Sequence, residues 1–548
     1  MNTADHSVGE NATINQGSLY RHSLNKESDR CLADLRLTDP RDDKTRIEQT
    51  KGGLLKESYS WILENENFKQ WYNDDQSRLL WITGDPGKGK TMLICGIINE
   101  LSNKTERNDT KSDLLLSYFF CQGTDSRVNT ATAALRGLLY LIIDQQRSLI
   151  SHVRSKYDMT GKGLFDNPNA WTVLSQIFIS VLHDASIENA IFIIDALDEC
   201  VTDQIKLLDF IIHHSSLPRI KWIITGRNDL KIKERLSACR PQTLLCIELG
   251  EHESCISKAV DAYIKYGISQ LDLLQDDQAL QNDLQNLMQK EANRTFLWVS
   301  LVMKELEHEH MESREVLKII NEMPSDLKEI YARMMEQILR LEPENSMYCR
   351  RLLSTVCAAY RPLSLSELGL LSDSPQEILE KPEAIRRIVT MCGSFLTIHG
   401  ENVYLVHQSA KDYLSTEALQ TICPNGQEQP HYSLFTRSLH GMYKTLKRDI
   451  YSFNTPGILI TEVMLPDPDP LAMVRYSCIH WVDHLNDGIS IKTSTQIYDF
   501  EDDGVIYQFF SKMYLYWLEA LSWLGSTSYG IAAFNKLEVL LVSACALI

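Results

Sequence analysis

Short, nearly continuous apolar runs punctuate the first half of the chain at Leu79–Thr83, Leu114–Phe120, Ala190–Asp195, Trp222–Thr225 and Leu244–Leu249. Between them Met92–Leu101, Thr132–Gln145, Ala170–His183 and Ile205–His213 carry apolar residues at the 3.6-residue period of a helix. A strand apolar on both faces must be covered on both, so this alternation predicts a parallel sheet between two layers of helices. In such a three-layer α/β domain, ligands bind at the carboxyl ends of the strands. Ahead of the first strand, Leu55, Tyr59, Ile62, Leu63 and Phe68 keep helical spacing and predict one helix from Leu54 to Trp71.

Past residue 250 the strand signals fade and Ile256–Tyr266, Leu280–Lys290, Phe296–Glu307 and Leu327–Leu341 read as helices. Two short β-like runs, Phe395–Ile398 and Val403–Val406, flank the turn His399-Gly400-Glu401-Asn402 and predict a hairpin wing on a helical domain. The patterning divides the chain into a polar, disordered tail over 1–30 and a flanking helical segment over 31–75. The α/β domain follows over 76–250, then a helical domain over 251–344, the winged one over 345–420, and a helical region over 421–548 rich in Tyr, Trp and Leu. No repeat of 20 to 50 residues recurs, which argues against a solenoid or propeller within the chain.

Bulk properties narrow the function. At 548 residues the chain is too long for one core. A net charge of −18 argues against a general binder of nucleic acid or anionic membrane, since those partners need a basic surface. Thirteen cysteines are scattered without a Cys-x-x-Cys pair, the pattern of reduced thiols in a cytoplasmic protein. The polar N-terminus is no secretory signal, and no apolar run is long enough for a transmembrane segment. The C-terminal Cys545-Ala546-Leu547-Ile548 has the form of a prenylation box without the polybasic stretch that usually accompanies one; a buried helix end is the plainer reading.

The chemistry concentrates at Gly84-Asp85-Pro86-Gly87-Lys88-Gly89-Lys90-Thr91, a full match to the phosphate-binding loop G-x-x-x-x-G-K-[ST], followed by Met92. It sits directly after an apolar run and directly before a helical one. A strand thus delivers the loop, glycines let backbone N–H groups close on phosphate oxygens, and a helix starts with its positive end facing them. Lys90 is the candidate for the β- and γ-phosphates and Thr91 for Mg²⁺, while Lys88 is expected to be solvated.

The run Ile191-Phe192-Ile193-Ile194-Asp195-Ala196-Leu197-Asp198-Glu199 supplies the other half. Four apolar residues bury a central strand, Asp195 emerges at its end as the metal carboxylate, and small Ala196 allows close approach. Asp198 or Glu199 would orient or deprotonate a water. Arg227, after Ile223-Ile224-Thr225-Gly226, is the candidate contact to the γ-phosphate; the alternative is a surface arginine paired with a neighbouring acid.

With both motifs in place the chain resembles the NACHT-type signal-transduction NTPases, and within them the vegetative-incompatibility NTPases of filamentous fungi, a NOD-like receptor class. CLADLRLTDPRDDKTRIEQTKGGLLKESYSWIL, IFIIDALDEC, WIITGRN, FLWVSLVMKEL, PSDLKEIYARMMEQI and VHQSAKDYL carry the likeness. Nephrocystin-type N-terminal NTPase modules and an inositol-deacylase-like winged helix are similar as well. The resemblance implies an ATP/ADP switch with slow hydrolysis, self-association on ATP binding, and a winged-helix histidine on the β-phosphate of ADP. His407 matches that histidine by position, with an ordinary core or capping role as the alternative. GTP stays open as the nucleotide. The long repeat array and the N-terminal effector domain usual in the family are not in this sequence, the expectation being a truncated form or a stand-alone switch module working through unknown protein partners. A nucleotide-bound scaffold without turnover and a remodelling ATPase are the competing readings.

Overall fold

The computed structural model describes residues 26–107, 114–240, 242–271, 277–292, 295–306, 322–372, 382–424, 428–454, 464–489 and 499–545, with a few isolated positions between them. The chain forms two compact units. The first comprises the chain up to Gly123, Arg127–Tyr263 and Arg294–Leu297; the second comprises Thr124–Ser126, Ile264–Asn293 and everything from Trp298 onward.

In the first unit, β1 (Leu79–Thr83), β2 (Leu114–Phe120), β3 (Asn189–Asp195), β4 (Ile220–Gly226) and β5 (Leu244–Glu248) build one sheet ordered β2-β3-β4-β1-β5, parallel throughout. The register sets Thr83 beside Gly226 and Glu248, and Phe120 beside Asp195, so the strand ends align along one edge. β4 lies between β1 and β3, which brings its last residues between the phosphate loop and Asp195. On one face Phe192 stacks on Trp222 with ring centroids 4.8 Å apart, and Phe178 packs against Phe192 at a tilt, 5.2 Å away. Burying such side chains contributes about 1.5–3 kcal/mol each. On the other, Gly96 of the Lys90–Arg107 helix admits the Lys56–Glu64 helix, for a Cβ there would lie 2.2 Å from the Tyr59 ring.

Two expectations shift. The helix expected over Leu54 to Trp71 is two helices, Lys56–Glu64 and Glu66–Asn73, because Asn65 takes an extended conformation and its side chain accepts from the Phe68 N–H at 3.2 Å. That bond satisfies a donor the new helix start would otherwise orphan. Residues 26–35 are helical, so helix begins within the expected polar tail, whose residues 1–25 lie outside the described residues.

The second unit is helical apart from β6 (Leu363–Ser364), β7 (Leu396–His399) and β8 (Asn402–Leu405), an antiparallel sheet ordered β6-β8-β7. The wing is where it was expected but its turn is tighter: His399 and Asn402 pair as the last residues of the two strands, and Gly400, at φ +59°, and Glu401 alone make the turn. β6 was not anticipated. Helices Pro343–Ala358, Leu365–Leu371 and Pro382–Met391 complete a winged-helix arrangement. Ser364 and Glu367 form a capping box at the second of them, and buried Glu367 also takes the Arg361 guanidinium at 2.7 Å.

Further along, Phe435, Trp481, Phe509 and Trp517 pack in a separate core. Beside it runs a chain of hydrogen bonds centred on buried Tyr476 and His484. The Tyr360 N–H donates to the Tyr476 hydroxyl at 3.0 Å, that hydroxyl meets His484 Nε2 at 2.7 Å, and His484 Nδ1 meets His431 Nδ1 at 2.9 Å. An amide must donate, so the Tyr476 proton goes to His484 Nε2, which places the His484 proton on Nδ1, facing His431. Both imidazoles are then neutral.

Of the C-terminal box, Cys545 ends the last helix, Thr527–Cys545, and its other three residues lie outside the described residues. Among the described residues no helix is long and apolar enough to cross a membrane.

Candidate functional site

The phosphate loop fills the turn between β1 and the helix that Lys90 itself begins. Gly87 and Gly89 stand at φ +78° and +87°, a region L-residues rarely enter. There is also no room for a side chain. A Cβ on Gly87 would lie 2.7 Å from Thr295 and one on Gly89 2.8 Å from the Phe296 ring. The Leu297 N–H donates to Gly87 O at 3.4 Å, so Thr295, Phe296 and Leu297 back the loop from far along the chain. Lys90 Nζ donates to Gly84 O and Asp85 O at 2.5 and 3.0 Å. Burial lowers its pKa, while Asp198 and Asp195 hold the charge in place. Lys88, expected to be solvated, is partly buried within the turn. Asp85 is exposed, and Pro86, Thr91 and Met92 are half-buried.

Asp195 closes β3 and is 2 % exposed. Burial raises its pKa; hydroxyl bonds from Thr225 and Thr91 and the charges of Lys51 and Lys90 oppose that. Thr225, near the end of β4, donates to Asp195 Oδ1 at 2.6 Å and accepts the Ala196 N–H at 2.8 Å, so its single proton is committed to Asp195. Ala196 sits in the left-handed region at φ 54°, ψ 52°, and turns the chain so that the Glu199 N–H reaches Ala196 O at 2.8 Å. Glu199 then accepts the Gly123 N–H at 2.9 Å. Burial pushes the Glu199 carboxyl up to about 7, against the Gly123 bond and with help from Asp198 and Asp195. Asp198 pairs with Arg227 at 3.2 Å.

The structure thus gathers Lys90, Thr91, Asp195, Asp198, Glu199 and Arg227 at one end of the sheet. Arg227 is engaged with Asp198, itself a candidate residue of the site. Thr225, Gly123 and the Thr295–Leu297 backing escaped the sequence reading. His407 belongs to the second unit, where it caps the Gln408–Thr416 helix. Its Nδ1 accepts the Ser409 N–H at 3.1 Å, which leaves the ring proton on Nε2.

The residues suit a nucleotide with Mg²⁺. Thr91 and Asp195 offer hydroxyl and carboxylate oxygens side by side, the hard donors of a magnesium site completed by phosphates and water. No group of three or more His, Cys, Asp or Glu among the described residues forms a metal cage.

A glycine cradle, a lysine opening the following helix, and a hydroxyl–carboxylate pair across a parallel sheet define a P-loop NTPase. Residues 57–227 match the family model described as Nephrocystin 3, N-terminal. Over 536 residues the chain is 48% identical to the vegetative incompatibility protein HET-E-1 of Podospora anserina, an alignment covering 95% of this chain and 39% of that protein. The chain therefore spans about two fifths of that relative's length. Solved structures with a similar course include the Walker-type ATPase PABY2304 of Pyrococcus abyssi, at 13% identity over 66% of this chain and 95% of that one with a TM-score of 0.30. The Aeropyrum pernix ORC2 protein follows at 11% identity over 68% and 94%, with a TM-score of 0.32. Overlaps this loose carry nothing about function.

Proposed function

We propose that the chain is a nucleotide switch: it binds ATP or ADP with Mg²⁺ at the loop, hydrolyses slowly, and serves self/non-self recognition of the kind the HET-E-1 relative is named for. The observation that carries this reading is the hydroxyl–carboxylate set Thr91–Asp195–Thr225 beneath the glycine cradle, with Lys90 half-buried beside it.

In this reading the loop's N–H groups and Lys90 bind the phosphates, while Thr91 and Asp195 hold Mg²⁺, which supplies charge neutralisation to the phosphates. Entry of cations beside Asp195 and Glu199 favours their ionised forms, and Glu199, poised near neutrality, can then take a proton from water. It suits that task better than Asp198, whose carboxylate is tied to Arg227. Arg227 can exchange Asp198 for a terminal phosphate and so distinguish triphosphate from diphosphate. The His407 Nε2–H is a donor of the sort a β-phosphate oxygen accepts. Self-association would follow the triphosphate state, in the cytoplasm, through protein partners rather than nucleic acid.

Native mass spectrometry of the purified chain, with equilibrium binding of ATP and ADP, tests this. Copurifying ADP and assembly on exchange to ATP are expected. A chain that binds neither nucleotide, or whose Lys90→Ala variant binds both unchanged, overturns the assignment. Steady turnover on the order of 1 s⁻¹ or faster would indicate a motor instead.

A further inference from the structure

A glycine-rich loop is hard to keep in one shape, because glycine loses more conformational freedom on folding than any other residue. A loop that must aim its N–H groups at phosphate therefore gains affinity from whatever orders it beforehand. Within the first unit the phosphate loop has such a support. A Cβ on Gly84 would lie 2.9 Å from Leu249, one on Gly87 2.9 Å from Leu297, and one on Gly89 2.8 Å from the Phe296 ring. Leu249 and Leu297 are buried and Phe296 is half-buried. Three of the loop's pliable positions are thus backed by hydrocarbon, two of them by residues some 200 positions away in sequence.

One polar contact crosses this backing, from the Leu297 N–H to Gly87 O at 3.4 Å. Leu297 lies in the first turn of the Phe296–Leu306 helix, where N–H groups have no partner within the helix, so the bond leaves the helix intact. In a planar trans peptide the C=O and N–H point opposite ways. Fixing Gly87 O against Leu297 therefore turns the Lys88 N–H into the loop, where it reaches Asp85 O at 3.4 Å. A bond at that length is weak, and a phosphate oxygen can replace it. Turning the peptide over would set the Lys88 N–H against the Leu297 N–H, donor to donor, and leave both unsatisfied. Phe296 has a brace of its own. The Tyr263 ring tilts against it with centroids 5.8 Å apart, and the Tyr263 hydroxyl donates to Lys51 O at 3.1 Å.

We propose that Phe296 and Leu297 are positioning residues of the nucleotide site: the Phe296 ring and the Leu297 N–H hold the backbone of Gly87, Lys88 and Gly89 in the shape that takes phosphate oxygens. This rests on the reading of the loop as a nucleotide site and adds residues that the phosphate-binding motif does not contain. Their effect reaches the ligand through the loop backbone, so it should fall on ATP and ADP alike.

Equilibrium binding of ATP and ADP to the full chain, together with hydrogen exchange of the nucleotide-free protein, tests the proposal. Phe296→Ala should weaken both nucleotides roughly tenfold, the effect of lost preorganisation. It should also speed exchange over residues 84–91 while the strands at 79–83 and 190–195 stay as protected as in wild type. Phe296→Leu, which keeps an apolar side chain on Gly89, should restore most of both. Unchanged affinity in Phe296→Ala would overturn the assignment. So would exchange that quickens equally in loop and sheet, since the ring would then be ordinary core. A wild-type chain that binds neither nucleotide would instead sink the nucleotide-switch reading, and the exchange measurement would still decide whether Phe296 holds the loop.

Discussion

Both units bury titratable groups, and they settle them in opposite ways. In the first, Lys90, Asp195 and Glu199 are held close together with their pKa values pushed toward neutrality and their bonds short of saturation by charge. In the second, Tyr360, Tyr476, His484 and His431 form a chain in which each proton has one place to go. The first arrangement is costly as it stands, and in the proposed function a bound nucleotide and cation would relieve that cost. The second is satisfied as it stands and fixes packing. Burial of polar groups alone therefore does not mark a functional site; the way the charge is left does.

The contrast breaks most sharply at Lys90. Lys90→Ala should weaken nucleotide binding by about a hundredfold or more and also lower the melting temperature, because Asp195 loses a cation that offsets its burial; isothermal titration and calorimetry on one sample read both. The next largest effect is on pH. A Glu199 carboxyl held at about 7 against an ordinary 4.5 costs the folded state on the order of 3 kcal/mol once ionised. Below 4.5 that cost is absent, and it grows as pH rises to about 7, since the folded chain keeps a proton that the unfolded chain releases. Glu199→Gln should therefore gain on wild type over that window in chemical denaturation without nucleotide.

The second unit should show the opposite sign. Burial lowers the pKa of His480 and His484, and the unfolded chain takes up their protons near 6.5, so stability falls as pH drops below that value. Tyr476→Phe strips a partner from both the Tyr360 N–H and His484 and should destabilise this unit by about 2 kcal/mol while nucleotide affinity stays put. If affinity fell as well, the two units would not be the separate cases drawn here. The smallest effect is at Asn65, where Asn65→Ala should cost about 1 kcal/mol for the lost cap and leave both the pH profile and binding alone.

Much of the first unit was legible because its strands are unbroken apolar runs and its loop is a local motif. What escaped had no local signature. The break at Asn65 hides because Ile62, Leu63 and Phe68 keep the helical period across it. Thr225 looks like one more β-branched residue in an apolar strand, and only the insertion of β4 beside β3 aims its hydroxyl at Asp195. Phe296 reads as the start of an amphipathic helix, and nothing near it in sequence says that it backs Gly89. β6 is two residues long, too short for alternation to show. His407 caps a helix through a bond that is visible only in three dimensions.

Ala196 has a consequence of a different kind. Its left-handed conformation, between Asp195 and the turn bearing Glu199, costs an L-residue about 1–2 kcal/mol. A β-branched or bulky side chain would deepen that cost, whereas Gly, Asn or Asp would be tolerated. Mutational drift at this position is thereby confined to a handful of small residues, although Ala196 has no functional group to select for. The handedness of amino acids, acting at one backbone position, restricts the sequences through which the two carboxylates can keep their aim.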